Sequence, residues 1–134
     1  MSKIAIVYWS QTGNTEQMAN IVVTACKGDL LTCDAFDAGK TASYDSVAFG
    51  CPAMGAEELE ETEFRPMFDA VKPALTGKKV ALFGSYGWGD GEWMRLWADE
   101  CAASGIALCC EPVICCDAPD SAATEQLETL AASL

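Results

Sequence analysis

Hydroxyls and amides crowd residues 10–15, where Ser10, Gln11, Thr12, Gly13, Asn14 and Thr15 separate an apolar run from a helical pattern. The run ahead of them, residues 4–9, is rich in β-branched residues and ends in turn residues, the pattern of a strand buried on both faces. After Gly13, the spacing of Met18, Ile21, Val22, Ala25 and Cys26 predicts a helix with one buried face. A strand that turns directly into a helix leaves backbone N–H groups unpaired at the positive end of the helix dipole. The hydroxyls of Ser10, Thr12 and Thr15 are expected to converge there, giving an anion site that holds a phosphate without lysine or arginine. The plainer alternative is an ordinary turn capped by Thr or Asn, against which the density of hydroxyls weighs. Other phosphate-binding patterns are absent: there is no G-x-G-x-x-G and no G-x-x-x-x-G-K-[ST], and Gly77-Lys78-Lys79 precedes a strand, the wrong side for cradling phosphates.

The elements that must position this junction alternate along the chain. Gly28-Asp29 turns into a second strand at Leu30, Leu31, Thr32 and Cys33, and a brief helix or irregular connection is expected over residues 37–44. Residues 46–51 form a third strand, ended by Pro52, which cannot donate to a ladder. Phe64, Met67, Phe68 and Val71 recur at helical spacing, with Pro66 tolerable in the first turn. Residues 79–85 form the fourth strand. Asp90 is a credible cap for a helix carrying Trp93, Met94, Trp97 and Cys101, which Gly105 stops. A last strand is expected in two pieces, residues 106–110 and 113–115, around Pro112, followed by a helix marked by Leu127, Leu130 and Leu134. Five strands alternating with helices predict one doubly wound α/β domain over residues 1–134: a five-stranded parallel sheet in the order 2-1-3-4-5, with ligands beyond the carboxyl ends of its strands. In that order the loops after the first, third and fourth strands are neighbours, so the phosphate site is expected beside Met54 on one wall and Trp88 on the other, with room for a flat ring between them.

Composition narrows the function. A net charge of −12 from 8 basic and 20 acidic residues argues against nucleic acid and for a basic partner. No Lys or Arg lies between Lys40 and Arg65, between Lys79 and Arg95, or after Arg95, and these windows contain the loops just named. The opening residues do not read as a signal peptide and no stretch approaches membrane-spanning length, so a reducing cytoplasm is expected; a monomer is expected as well. Eight cysteines in 134 residues therefore need not form disulfides. Cys109-Cys110 and Cys115-Cys116 match no usual metal spacing, the chain has no histidine, and buried strand cysteines are the better reading.

The sequence resembles a short-chain flavodoxin from Lys3 almost to its end. The resemblance rests on Val7-Tyr8-Trp9-Ser10 leading into Thr12-Gly13-Asn14-Thr15, on Gly50-Cys51-Pro52-Ala53-Met54-Gly55, on the run from Lys78 through Phe83-Gly84-Ser85-Tyr86-Gly87-Trp88-Gly89, and on Gly91-Glu92-Trp93-Met94. It implies one non-covalent FMN, with the phosphate held by Ser10, Thr12, Asn14 and Thr15 together with backbone N–H groups of that loop. It further implies a flavin ring packed between Met54 and Trp88, Glu57 accepting from the ring N3–H, and Cys116 and Asp117 at the ring edge. Two positions depart from the commonest family pattern: Gln11, where glycine is frequent, and Ala56, where glycine or a polar residue is usual. The Gly55–Ala56 peptide is implied to turn over on one-electron reduction, and an alanine forced to positive φ costs roughly 1 to 2 kcal/mol.

The implied function is a soluble one-electron carrier of low potential, cycling between the semiquinone and hydroquinone of FMN, with ferredoxin-dependent reductases or oxidoreductases as partners. Carboxylates at Glu57, Glu58, Glu60, Glu61, Glu63, Asp90 and Glu92 lie on or just after the loops around the ring, where they oppose an anionic flavin; the more distant ones read as a solvated helix start. The alternative is an FMN-dependent quinone or nitro reductase on the same fold, but hydride transfer needs an open ring face, which Met54 and Trp88 close. A signalling receiver needs acidic residues where this chain has Ser10 and Cys51. A phosphatase nucleophile at Cys51 lacks a following arginine.

Overall fold

The computed structural model describes residues 3–11, 13–54, 58–87 and 89–134. A five-stranded, all-parallel sheet runs in the order β2-β1-β3-β4-β5, as the alternation of elements predicts. Its centre is β1 (Ile4–Tyr8), β3 (Ser46–Gly50) and β4 (Lys79–Tyr86); β2 (Asp29–Thr32) and β5 (Val113–Cys116) form the edges. On one face lie α1 (Asn14–Cys26) and α5 (Ser121–Ala132), and on the other α3 (Phe64–Val71) and α4 (Glu92–Ala103). The short α2 (Ala38–Thr41) leads into β3.

Central strands covered on both sides alternate between two cores. Ala5, Val7, Val47, Phe49, Val80 and Leu82 point to the α3/α4 side, whereas Ile6, Ala48, Ala81 and Phe83 point to the α1/α5 side. The first core is aromatic: Phe64 and Phe68 are stacked at 9°, and the Trp97 ring meets them edge-on at 5.4 and 5.6 Å. Such edge-to-face pairs add to area burial. All four predicted apolar positions of α3 and all four of α4 are buried.

Several local expectations are corrected. The inward stripe of α1 is Thr15, Met18, Ala19 and Val22, while Ala25 is exposed and Ile21 and Cys26 half-buried. Alanine fits either face, so spacing alone did not set the phase. Asp90 does not cap α4: Gly91, at φ 92°, occupies that position, and the Asp90 carboxylate and carbonyl each accept from the Arg95 guanidinium at 3.1 Å. β2 starts one residue earlier than expected and Cys33 opens a 3-10 turn. Residues 106–110 form no strand; Leu108 makes one isolated bridge to Val80, and the chain bends at Cys109-Cys110 ahead of Pro112, which restricts the residue before it and has no N–H. Of the four cysteines in that region only Cys115 is a buried strand residue; Cys109 and Cys110 are half-buried and Cys116 is exposed. Leu134 lies beyond the end of α5.

Candidate functional site

Parallel strands in register bring their following loops together, and the backbone ladder continues past the strand ends to fix them. Trp9 N–H donates to the Gly50 carbonyl at 3.0 Å, Cys51 N–H to Phe83 at 3.2 Å, Ala53 N–H to Ser85 at 3.1 Å and Asp117 N–H to Tyr86 at 2.9 Å. The four loops after β1, β3, β4 and β5 are thereby stitched into one rim around a cavity of about 210 Å³. Ser10, Gln11, Asn14 and Thr15 line it from the first loop, Pro52, Ala53 and Met54 from the second, Ser85, Tyr86 and Gly87 from the third, and Asp117 from the fourth. The sequence expectation named every one of these. Thr12, Gly55, Ala56, Glu57 and Trp88, which it also named, lie outside the described residues.

The end of the cavity at α1 is built as an anion receptor. Gly13, at φ 96°, takes the left-handed conformation that favours glycine and starts the helix. The Ser10 hydroxyl oxygen accepts from Gly13 N–H at 3.1 Å and Glu16 N–H at 3.3 Å, so it caps the helix rather than standing free, while its O–H remains able to donate. Among the described residues, the N–H groups of Asn14 and Thr15 carry no partner. Thr15 is 1% exposed, and its Oγ1 has no hydrogen-bond partner among them either. Buried polar groups are rarely left this way, and a bound acceptor is the simplest remedy. No Lys or Arg is among the described lining residues, so the attraction for an anion comes from N–H dipoles and hydroxyls alone. This donor set fits the terminal phosphate of FMN.

The other end is formed by the loops after β3, β4 and β5. Met54 and Glu58 exchange backbone hydrogen bonds, both 2.8 Å, and so close the base of the loop that carries residues 55–57. Asp117 sits at φ 58°, a conformation aspartate tolerates, and Ser85 Oγ donates to its carbonyl at 2.6 Å. Gly89 (φ 84°) and Cys116 are exposed and do not line the cavity; the Cys116 sulfur lies 3.9 Å from the Asp117 carboxylate.

Nearby acids divide by role. Glu60 is turned inward, 6% exposed: its carboxylate accepts from Glu63 N–H (2.7 Å), Phe64 N–H (2.8 Å), Thr62 N–H (2.9 Å) and the Thr62 hydroxyl, capping α3. Burial alone would raise its pKa, but these donors outweigh it and hold the carboxyl below the usual range. Glu61 is fully exposed, and a hydrogen bond with Glu58 together with repulsion from it raises its pKa. The Cys51 sulfur accepts from Glu60 N–H at 3.4 Å, and burial pushes its thiol far up, which suits packing and not nucleophilic attack. Supports that sequence reading missed are the Glu58 pairing, the Trp93 bond to the Cys51 carbonyl at 3.1 Å and the close approach at Gly84. An indole following a glycine-rich turn was the available signal for the second.

The flavodoxin family model matches residues 6–129. The flavodoxin of Megasphaera elsdenii is 46% identical over 110 residues, covering 78% of this chain and 80% of that protein. The flavodoxin of Clostridium beijerinckii is 41% identical over 128 residues, covering 92% and 93%. The solution structure of two-electron reduced Megasphaera elsdenii flavodoxin superposes with a TM-score of 0.87 at 42% identity, over 98% of this chain and 99% of that one. Agreement of family model, sequence and sheet order over nearly the whole length means that the chain belongs to the flavodoxin family.

Proposed function

We propose that this protein delivers single electrons at low potential to basic-surfaced redox proteins, from an FMN whose phosphate is held by neutral donors only. Its family makes it an FMN-binding electron carrier rather than an enzyme. When bound, FMN supplies reversible uptake of one electron at a time. The chain's own residues bind, orient and bias it. Thr15 Oγ1, the Asn14 and Thr15 N–H groups and the Ser10 hydroxyl hold the phosphate, joined by Thr12; Gln11 and Gly13 shape that loop. Pro52, Ala53, Met54, Gly55, Ala56 and Glu57 form one wall of the ring site, Ser85, Tyr86, Gly87 and Trp88 the other, and Asp117 its edge, with Gly89 and Cys116 exposed beside that lining. With no Lys or Arg among the described lining residues and Asp117 facing the cavity, added negative charge on the ligand meets no fixed counter-ion, which favours a low potential.

The observation that carries this reading is the buried Thr15 hydroxyl beside two N–H groups, all three without a partner among the described residues. Titrating apoprotein with FMN and with riboflavin tests it. FMN is expected to bind far more tightly, and equal affinities would overturn the phosphate assignment. Purified holoprotein is expected not to oxidise NADH or NADPH unaided; appreciable turnover would favour a reductase instead.

Redox partner proteins follow from the family, and no helix among the described residues is long and apolar enough to cross a membrane. The net charge of −12 selects basic partners, ferredoxin-dependent reductases or oxidoreductases being the natural class. A cytoplasmic monomer in which residues 1–134 act as one FMN-binding domain completes the proposal.

A further inference from the structure

The dipeptide Cys-Cys occurs twice, in two backbone settings that treat the sulfurs differently. At Cys115-Cys116 the chain is a β-strand, so successive side chains point to opposite faces. Cys115 is buried with its sulfur 3.5 Å from Met18 Sδ, and Cys116 is exposed. At Cys109-Cys110 the chain bends, and both side chains pack against the same α1/α5 core. The Cys109 sulfur lies 3.3 Å from the Ser133 hydroxyl at the end of α5. Burial raises the Cys110 pKa, with the Ser133 hydroxyl acting to lower it and the Cys109 thiol to raise it. Both thiols are half-buried, and Cys110 lines an open cavity of about 650 Å³ together with Pro112, Gln126 and Thr129, so the pair is reachable from solvent.

We propose that Cys109 and Cys110 form a two-sulfur site for a trivalent, thiophilic centre, of which a monosubstituted arsenic(III) compound is the representative. Two adjacent thiols on one core face are too few for a structural zinc site, which takes four protein ligands. No group of three or more His, Cys, Asp or Glu side chains suited to a metal ion gathers anywhere among the described residues. A centre that brings its own third substituent and needs two neighbouring sulfurs fits what is there. With phenylarsine oxide the reaction balances without any oxidant or reductant: two S–H bonds and the arsenic–oxygen bond break, two As–S bonds form, the oxygen leaves as water with both thiol protons, and arsenic stays trivalent.

The site is remote from the cofactor cavity. Cys109 N–H donates to the Val80 carbonyl near the start of β4, while Ser85 and Tyr86 at its other end line the cofactor cavity, roughly 17 Å away along the strand. Occupancy is therefore expected to leave FMN in place, and the proposal stands or falls independently of the electron-carrier reading.

The test treats FMN-loaded protein with one equivalent of phenylarsine oxide in excess glutathione and reads the intact mass, with peptide mapping of the wild-type adduct. One phenylarsenic group per chain is expected, mapped to the peptide holding Cys109 and Cys110. It should be removed by 2,3-dimercaptopropanol and not by glutathione, with the flavin spectrum unchanged. Cys109→Ser and Cys110→Ser should each abolish it, and Cys115→Ser with Cys116→Ser should not. No adduct on the wild type, mapping to another peptide, or an adduct surviving in Cys109→Ser/Cys110→Ser would overturn the proposal.

Discussion

The indole N–H of Trp93, in the first turn of α4, donates to the carbonyl of Cys51, the residue that leaves β3 for the cofactor loop, at 3.1 Å. Trp93 is 1% exposed and Cys51 fully buried, so the bond is made away from water. It ties the start of the Pro52–Ala53–Met54 wall to a helix on the aromatic face of the sheet. Trp93→Phe keeps most of the packing and removes the donor. Leaving a buried carbonyl unpaired costs about 1 to 3 kcal/mol, and a loosened wall should weaken FMN binding as well. Urea unfolding of the apoprotein and an FMN titration check the two effects, and unchanged values in both would show that the bond positions nothing.

Gly84 is required by the same junction. A β-carbon there would stand 2.2 Å from the Cys51 carbonyl oxygen and 3.1 Å from Trp93 Cζ2. Neither the backbone oxygen nor a ring fixed by its own hydrogen bond can yield easily. Gly84→Ala is expected to destabilise the fold by about 1 to 3 kcal/mol or more, the usual range for an overfilled core. Thermal melts of variant and wild type measure it.

Glu60 makes acid stability a local matter. Its folded pKa is depressed, so its stabilisation is fully present above the pKa it has in the unfolded chain, about 4.3, and is lost as pH falls through the folded value. Glu60→Gln replaces the two-oxygen acceptor of the α3 cap and should cost about 1 to 2 kcal/mol at neutral pH. The difference between variant and wild type should shrink as pH drops below about 4, since protonated wild type then loses the same charge. Urea midpoints measured from pH 7 to pH 3 test this, and a gap independent of pH would rule out the carboxylate as its source.

The parallel order 2-1-3-4-5 was legible because three central strands are apolar on both faces and each ends in turn chemistry, and the cavity followed because parallel register gathers those ends. What the sequence withheld depends on where particular side chains turn. Asp90 reads as a cap by type and position, yet Arg95 takes its carboxylate. Glu60 reads like its solvated neighbours, yet four donors draw it inward. Ala25 and Ala19 are equivalent to any hydropathy pattern, and only packing against the sheet distinguishes them. Identical Cys-Cys pairs diverge because one lies in a strand and the other in a bend.

Electron transfer to a basic redox protein should slow steeply as ionic strength rises. Exposed Glu58 and Glu61 and the long windows free of Lys and Arg leave the surface near the cofactor loops predominantly acidic, and screening shortens its reach from about 10 Å at 0.1 M salt to about 3 Å at 1 M. Stopped-flow reduction of a basic c-type cytochrome across that range measures the effect. A salt-independent rate would leave the charge with no part in association.

Thr15 separates binding from folding most cleanly. Its hydroxyl is buried without a partner among the described residues, so Thr15→Val removes a group that the apoprotein does not use and keeps the shape. Replacing an unpaired buried hydroxyl by a methyl is neutral or stabilising for the empty fold. For the holoprotein the sign reverses, because a hydrogen bond to a charged phosphate contributes about 1.5 to 3 kcal/mol, which corresponds to on the order of 10- to 150-fold in the FMN Kd. Riboflavin, lacking the phosphate, should bind variant and wild type alike. The decisive measurement is therefore a pair of titrations with an apoprotein melt beside them. A Thr15→Val apoprotein that melts no lower, binds FMN at least tenfold more weakly and leaves riboflavin affinity unchanged would place the phosphate at this hydroxyl, whereas equal losses for both ligands would move it to another donor of the loop.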